Sequence, residues 1–174
     1  MNIFVLDEDP VKAAQMLCDK HVCKMIVESC QLLCSVFYFN SNIVPPYKLT
    51  HKNHPCAKWI RLSKANFEWL LKHLKELLNQ YTLRYYKKHK CEQIYNWINE
   101  HKIWLNFNYF KLTSFMQCMP DKYRYKDTIQ AYKNYYIGEK LKFAKWKLGN
   151  VPKFIKEYYE IINYACDILK LREA

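Results

Sequence analysis

With 174 residues, about half of them apolar or aromatic, the chain is long enough to bury one core and short for two. Twenty-eight Lys and Arg against sixteen Asp and Glu leave a net charge of +12, a field that draws polyanions and makes nucleic acid the first partner to consider. The bland alternative is a Lys-rich composition that is basic everywhere. Only two glycines, Gly138 and Gly149, are present, too few for a hairpin-rich β fold or a glycine-rich phosphate loop. The expected fold is therefore mainly α, a compact single-domain helical bundle over residues 1–174 with two long helices and shorter C-terminal helices. The eight cysteines sit inside apolar runs such as Cys30-Gln31-Leu32-Leu33-Cys34, and no secretory leader precedes them. Reduced, buried thiols and an intracellular reducing compartment, the cytoplasm or nucleus of a host cell, are the expectation. Lys, His, Glu or Gln interrupt the longest apolar stretches short of the ~20 residues of a membrane span, so no membrane partner is expected.

Asn2 to Leu6 reads as a short strand or an extended lead-in. Asp7, Asp9 and Pro10 then follow the order of an acidic cap and a first-turn proline, which predicts a helix from Pro10 to Phe39 with a bend near Asp19. Residues 40–53, with Pro45 and Pro46, form a loop. Pro55 opens a second long helix to about Lys88, in which Trp59, Leu62, Trp69, Leu70, Leu74, Leu77, Leu78 and Tyr81 fill a core face. Cys91 to His101 predicts a third helix, Lys102 to Arg124 mostly loop, Lys126 to Lys145 a fourth helix, and Pro152 to Leu171 a last one. No internal repeat or linker is visible.

Within the first long helix, His21, Lys24, Glu28, Gln31 and Ser35 are spaced by three, four, three and four residues, which aligns them on one face. Val22, Met25, Ile26, Leu32, Leu33, Val36 and Phe37 fill the other side, so the stripe faces either water or a site. A solvated Lys24–Glu28 ion pair is the structural alternative, worth a few tenths of a kcal/mol. Its order, Lys before Glu, is the less stabilising one on a helix. An amine beside a carboxylate is also the minimal equipment for imine chemistry at a sugar carbon.

A second polar cluster, His51, Asn53 and His54, precedes Pro55. Either it binds phosphate with the helix start, or Asn53 merely initiates a turn and the histidines are exposed. Cys18, His21 and Cys23 lie close in sequence, but no C-x-x-C or H-x-x-x-H spacing completes a four-ligand set, so neither a metal nor any other cofactor is expected. Fifteen tyrosines supply either base-stacking surfaces or core-edge residues.

Together the stripe and the Asn53-His54-Pro55 turn resemble the pyrimidine-dimer DNA glycosylase (endonuclease V-type) family. Asp19, His21 and Glu28 match its pattern of Asp-x-His followed by Glu seven residues after the His. The closer likeness is to uncharacterised members, through Lys24, Glu28, Gln31 and Leu33 followed by Asn53, His54, Pro55 and Trp59. The resemblance covers the first half of the chain, with a weaker echo in residues 132–140.

What the resemblance implies is a helical protein that grips the backbone of duplex DNA, distorts it at a lesion, cuts the N-glycosidic bond and nicks the strand by β-elimination. Glu28 then takes the catalytic carboxylate role. The family's nucleophile is an α-amino group exposed by removal of the initiator Met before a small residue. Here residue 2 is Asn, so the amine falls to Met1 or to Lys24. Asp19, His21, Gln31, His51, Asn53 and His54 become candidates for substrate binding. Lys133, Lys140, Lys142, Lys145, Lys147 and Lys153 are candidates for phosphate contact, and Tyr135, Tyr136 and Trp146 for stacking or wedging. Two other readings stay open: a non-catalytic nucleic-acid-binding protein, and a binder of small anionic nucleotides in a pocket of His21, Lys24, Glu28 and His54. Oligomeric state is not readable.

Overall fold

The computed structural model describes the backbone of residues 1–172 and the side chains of residues 1–167, and within them it is all helical, with no strand. Seven α-helices run α1 Pro10–Met16, α2 Asp19–Asn40, α3 Pro55–Leu62, α4 Lys64–Tyr85, α5 Glu92–His101, α6 Thr128–Tyr135 and α7 Lys153–Arg172. The two 22-residue helices α2 and α4 pack against each other and form the centre, with α1, α3 and α5 packed around them. Their buried faces merge with the lead-in Ile3–Leu6 and with Tyr132 and Tyr136 into one continuous apolar cluster.

Each predicted long helix proves to be two. The first breaks at Leu17 and Cys18, both extended, so that α1 and α2 pack separately on α4. The second breaks at Ser63, whose extended backbone frees its hydroxyl to accept the Ala65 N–H (3.1 Å) and donate to Lys111 O (2.6 Å). Asp9 caps α1 as expected, accepting from Val11 and Lys12. The fourth helix is also shorter than predicted: α6 ends at Tyr135, continues through one π-helical turn, Tyr136–Lys140, and closes in a 3-10 turn, Leu141–Phe143. The terminal helix α7 is, at 20 residues, nearly as long as the central pair. Beyond Tyr158 all its described side chains are exposed.

By length and composition alone α2 would cross a membrane, with a mean hydropathy of 1.4, contrary to the expectation that its polar residues cut the apolar run short. The apolar character has a packing cause. This helix contacts α3, α4 and α5, and buries residues around most of its circumference.

The lead-in is neither strand nor simple extended chain. Phe4 has φ 55°, a left-handed conformation that costs a non-glycine residue roughly 1–2 kcal/mol. Asn2 offsets that strain: its Oδ1 accepts the N–H groups of Ile3 (2.7 Å) and Phe4 (3.2 Å) and the Tyr132 hydroxyl (2.9 Å). The Asn2 amide group also donates to Cys118 O (2.7 Å). Four bonds therefore fix the turn that brings the chain start back onto α2.

Candidate functional site: the chain start on Glu28

The Asn2 backbone N–H donates to Glu28 Oε2 at 2.9 Å. On the other carboxylate oxygen, Oε1, Lys24 Nζ stands 3.5 Å away, with its side chain 66% exposed against 15% for Glu28. The carboxylate thus sits in a partly covered position with an open mouth. It faces a cavity of about 450 Å3 whose wall includes Met1, Phe4, His21, Tyr135 and Phe143, with Lys20, Lys24 and Lys140 at the rim.

Aromatic packing builds the inner wall. The Phe4 ring stacks on His21 (centroids 4.3 Å apart) and lies nearly parallel to Tyr135 (6.1 Å), while Tyr132 and Tyr136 meet it edge-on. Lys140 Nζ lies 4.4 Å above the centre of the Tyr135 ring, which holds a cation at the mouth by cation–π attraction. Burial, then the nearby Lys140 and Lys24, push the His21 ring down to about pKa 4, so it is neutral at physiological pH. Tyr136 Oη accepts the Cys18 N–H and lies 2.9 Å from His21 Nδ1, in hydrogen-bond contact with the ring. His21 therefore presents an uncharged ring held in place by that contact and by the stack on Phe4.

Asp19 lies beneath this wall. Its carboxylate pairs with Arg84 Nη1 (3.1 Å) and accepts the Lys147 N–H (3.1 and 3.3 Å), while its own N–H donates to Lys145 O (2.9 Å). Arg84 also donates to Gln15 O, Leu17 O and Gln80 Oε1. This buried knot ties the break between α1 and α2 to α4 and to the segment after Phe143.

The remaining predicted residues fall into four groups. His54 caps α3, its Nδ1 accepting the Cys56 N–H at 3.2 Å, and its pKa is lowered by burial and by the Met1 amino group. Gln31 is half-buried further along α2, and Ser35, fully buried, donates to Leu32 O. His51 and Asn53 are exposed on the loop before α3, with His51 at φ 49° and 2.6 Å from Thr50 Oγ1. Of the C-terminal candidates, Tyr136 has no exposed surface, and Trp146 donates from Nε1 to Met16 O (3.1 Å). Lys133 lies half-buried over Phe154, while Lys142, Lys145, Lys147 and Lys153 are exposed. Lys142 and Lys153 each face an acid on their own segment, Glu139 and Glu157.

Sequence reasoning missed Asn2 as an organiser, Phe4 as a wall and Cys118 as a neighbour of the chain start. Their contacts span 26 to 130 residues, and no local periodicity signals them. Nor are Cys18, His21 and Cys23 the donors that converge. Among the described residues the group that does is His54, Cys56 and Cys118.

The family model for pyrimidine dimer DNA glycosylases matches residues 1–93, and the chain belongs to that family. No curated protein and no solved structure gives a significant match.

Proposed function

We propose that this protein is a DNA-repair-type N-glycosylase with AP-lyase activity, acting on damaged or modified pyrimidines in duplex DNA. The observation that carries the reading is the 2.9 Å contact between the residue 2 nitrogen and Glu28, because the resemblance assigns the catalytic carboxylate to Glu28 and the amine to the start of the chain. A chain-terminal amine there attacks C1′ of the deoxyribose, and the bonding pair of the glycosidic bond leaves with the base. Ring opening then gives an imine, loss of a C2′ proton follows, and the 3′ phosphate departs. Glu28 stabilises the cationic intermediate and carries protons.

While Met1 is present, the nitrogen touching Glu28 is an amide whose lone pair is delocalised, so the reacting group is the Met1 α-amine beside it. Removal of Met1 would convert the Asn2 nitrogen itself into that amine. Lys24 reaches the same carboxylate but is mostly exposed, and its role is to hold positive charge at the mouth.

The rest of the cleft suits this substrate. A cavity of about 450 Å3 falls in the range that takes a nucleoside-sized group, Tyr135 and Phe143 give it an aromatic wall, and Lys20, Lys24 and Lys140 supply positive charge for the phosphates. Eight free thiols suit a reducing compartment, the cytoplasm or nucleus of a host cell.

Borohydride added to the protein with duplex DNA carrying an abasic site or a pyrimidine dimer should trap a covalent adduct, and peptide mapping should locate it on the first residue of the mature chain. Absence of an adduct with both substrates overturns the imine mechanism. An adduct on Lys24 overturns the choice of amine.

A further inference from the structure

We propose that His54, Cys56 and Cys118 form a binding site for a thiophilic divalent cation of the zinc class. Two of the side chains are neighbours at the start of α3, His54 at its cap and Cys56 in its first turn, and the third comes from the irregular segment before α6. Folding gathers one nitrogen and two sulfur donors so that all lie within 4.8 Å of one another.

The geometry is that of a ligand set. Zinc bonds of about 2.3 Å to sulfur and 2.0–2.1 Å to nitrogen, spread tetrahedrally, place two sulfurs roughly 3.8 Å apart. Cys56 Sγ and Cys118 Sγ lie 3.4 Å apart, so a shift of a few tenths of an ångström on the loop side admits an ion. Cys56 is rigidly placed, 1% exposed within the core, whereas Cys118 is half-buried on the loop. On the third corner stands the His54 imidazole, positioned by the cap bond in which its Nδ1 accepts the Cys56 N–H at 3.2 Å. Two thiolates with an imidazole select zinc, or copper(I), over magnesium and calcium. Each thiol gives up its proton to solvent on binding, so uptake of the ion releases protons.

The other thiol cluster shows what distinguishes this one. Tyr47 Oη lies 3.4 Å from Cys91 Sγ, and Cys91 lies close to Cys30 and His89, yet among the described residues no three donors there lie within 4.8 Å of one another.

The proposal stands independently of the glycosylase reading, since it needs no DNA. Full-length protein, purified with reductant and chelator and then dialysed, is titrated with Zn2+ against a chromophoric competitor and separately with Co2+. One equivalent of either metal should bind, and the cobalt form should show a thiolate-to-metal charge-transfer band. Cys118→Ser and His54→Ala should each weaken binding by at least about a hundredfold, the upper end for loss of a mere supporting partner. Cys91→Ser should leave it unchanged. Circular dichroism of the Cys118→Ser protein verifies its fold, because that side chain is on a loop, unlike buried Cys56. Binding well below one equivalent, a cobalt spectrum without the thiolate band, or binding that survives in Cys118→Ser and fails in Cys91→Ser overturns the site. So does alkylation mapping that finds Cys56 and Cys118 joined as a disulfide in the reduced preparation.

Discussion

Residues 1–93 and the remainder of the chain carry the same charge, each with 14 Lys and Arg and 8 Asp and Glu, yet they build different things. The first region supplies most of the regular helices, most of the core and Glu28. The second is largely irregular from Leu105 to Asp127, then contributes α6, its π and 3-10 turns and α7. What it adds to the site is placement: Tyr135, Lys140 and Phe143 on one side of the cavity, Cys118 on another. In the proposed mechanism the reacting groups fall in the family-matched region, which also lines much of the cleft, and the rest of the chain completes the cleft wall.

The comparison breaks most decisively at Glu28. If the catalytic group belongs to the first region alone, Glu28→Gln should lower strand nicking by roughly 10²- to 10⁴-fold, the range for loss of an acid–base group, with binding to lesion-bearing duplex nearly unchanged. Retention of full nicking would remove the carboxylate from the mechanism. The amide keeps the volume, and the side chain is at the cleft surface, so circular dichroism and melting should stay close to those of the parent.

Next in size is the knot that joins the two regions. Arg84→Met leaves Asp19 buried without its ion pair and should destabilise the fold by about 3–5 kcal/mol, read as a shift in urea midpoint. Because Asp19 also accepts the Lys147 N–H, amide exchange should rise around Lys147 as well as in α4. A change below about 1 kcal/mol confined to α4 would mean that the two regions are held together elsewhere.

That knot also marks the limit of what the sequence discloses. The core faces of α2 and α4, the Asp9 cap and the Pro55 helix start follow from spacing and local hydrogen bonding, and all are legible. The break at Ser63 is not, because the extended backbone there is held by a bond to Lys111, 48 residues away. His21, Lys24 and Glu28 are legible as one face of a helix. That His21 is buried against Phe4 is not, since it depends on a left-handed turn stabilised by Asn2 and Tyr132. The thiol pair Cys56–Cys118 is likewise a product of the irregular segment, where periodicity carries no information.

Within the first region a further effect appears only on acidification. His73 on α4 is fully buried, stacked on Trp69 and without a hydrogen-bond partner, and desolvation takes its pKa down to about 3; His21, at the junction, is down to about 4. Above their ordinary value of 6.5 both rings are neutral in folded and unfolded chains alike, and neither contributes a slope. As pH falls below 6.5 the unfolded chain takes up protons that the fold refuses, so stability should drop by about 1.4 kcal/mol per pH unit for each ring. The loss from His21 ends near pH 4 and that from His73 near pH 3. Urea midpoints of His73→Leu should therefore fall less steeply with acid than those of the parent. Equal slopes would mean that the buried ring is not a source of the acid sensitivity.

The smallest expected effect tests whether the second region's charge works by position. Lys140 is held over Tyr135 at the cleft mouth, whereas Lys72 is an exposed lysine of α4 outside that cavity. With equal charge removed, only the lysine beside bound DNA changes the number of counterions released. Lys140→Ala should reduce the slope of log K against log salt by about 0.9, and Lys72→Ala should leave it unchanged. The loss in affinity at fixed salt should be similar for lesion-bearing and intact duplex, because a phosphate contact reads no base. A Lys140→Ala loss restricted to lesion-bearing duplex would instead put the ammonium group against the displaced base, and Tyr135→Phe, which keeps the aromatic face beneath it, should then leave that discrimination intact.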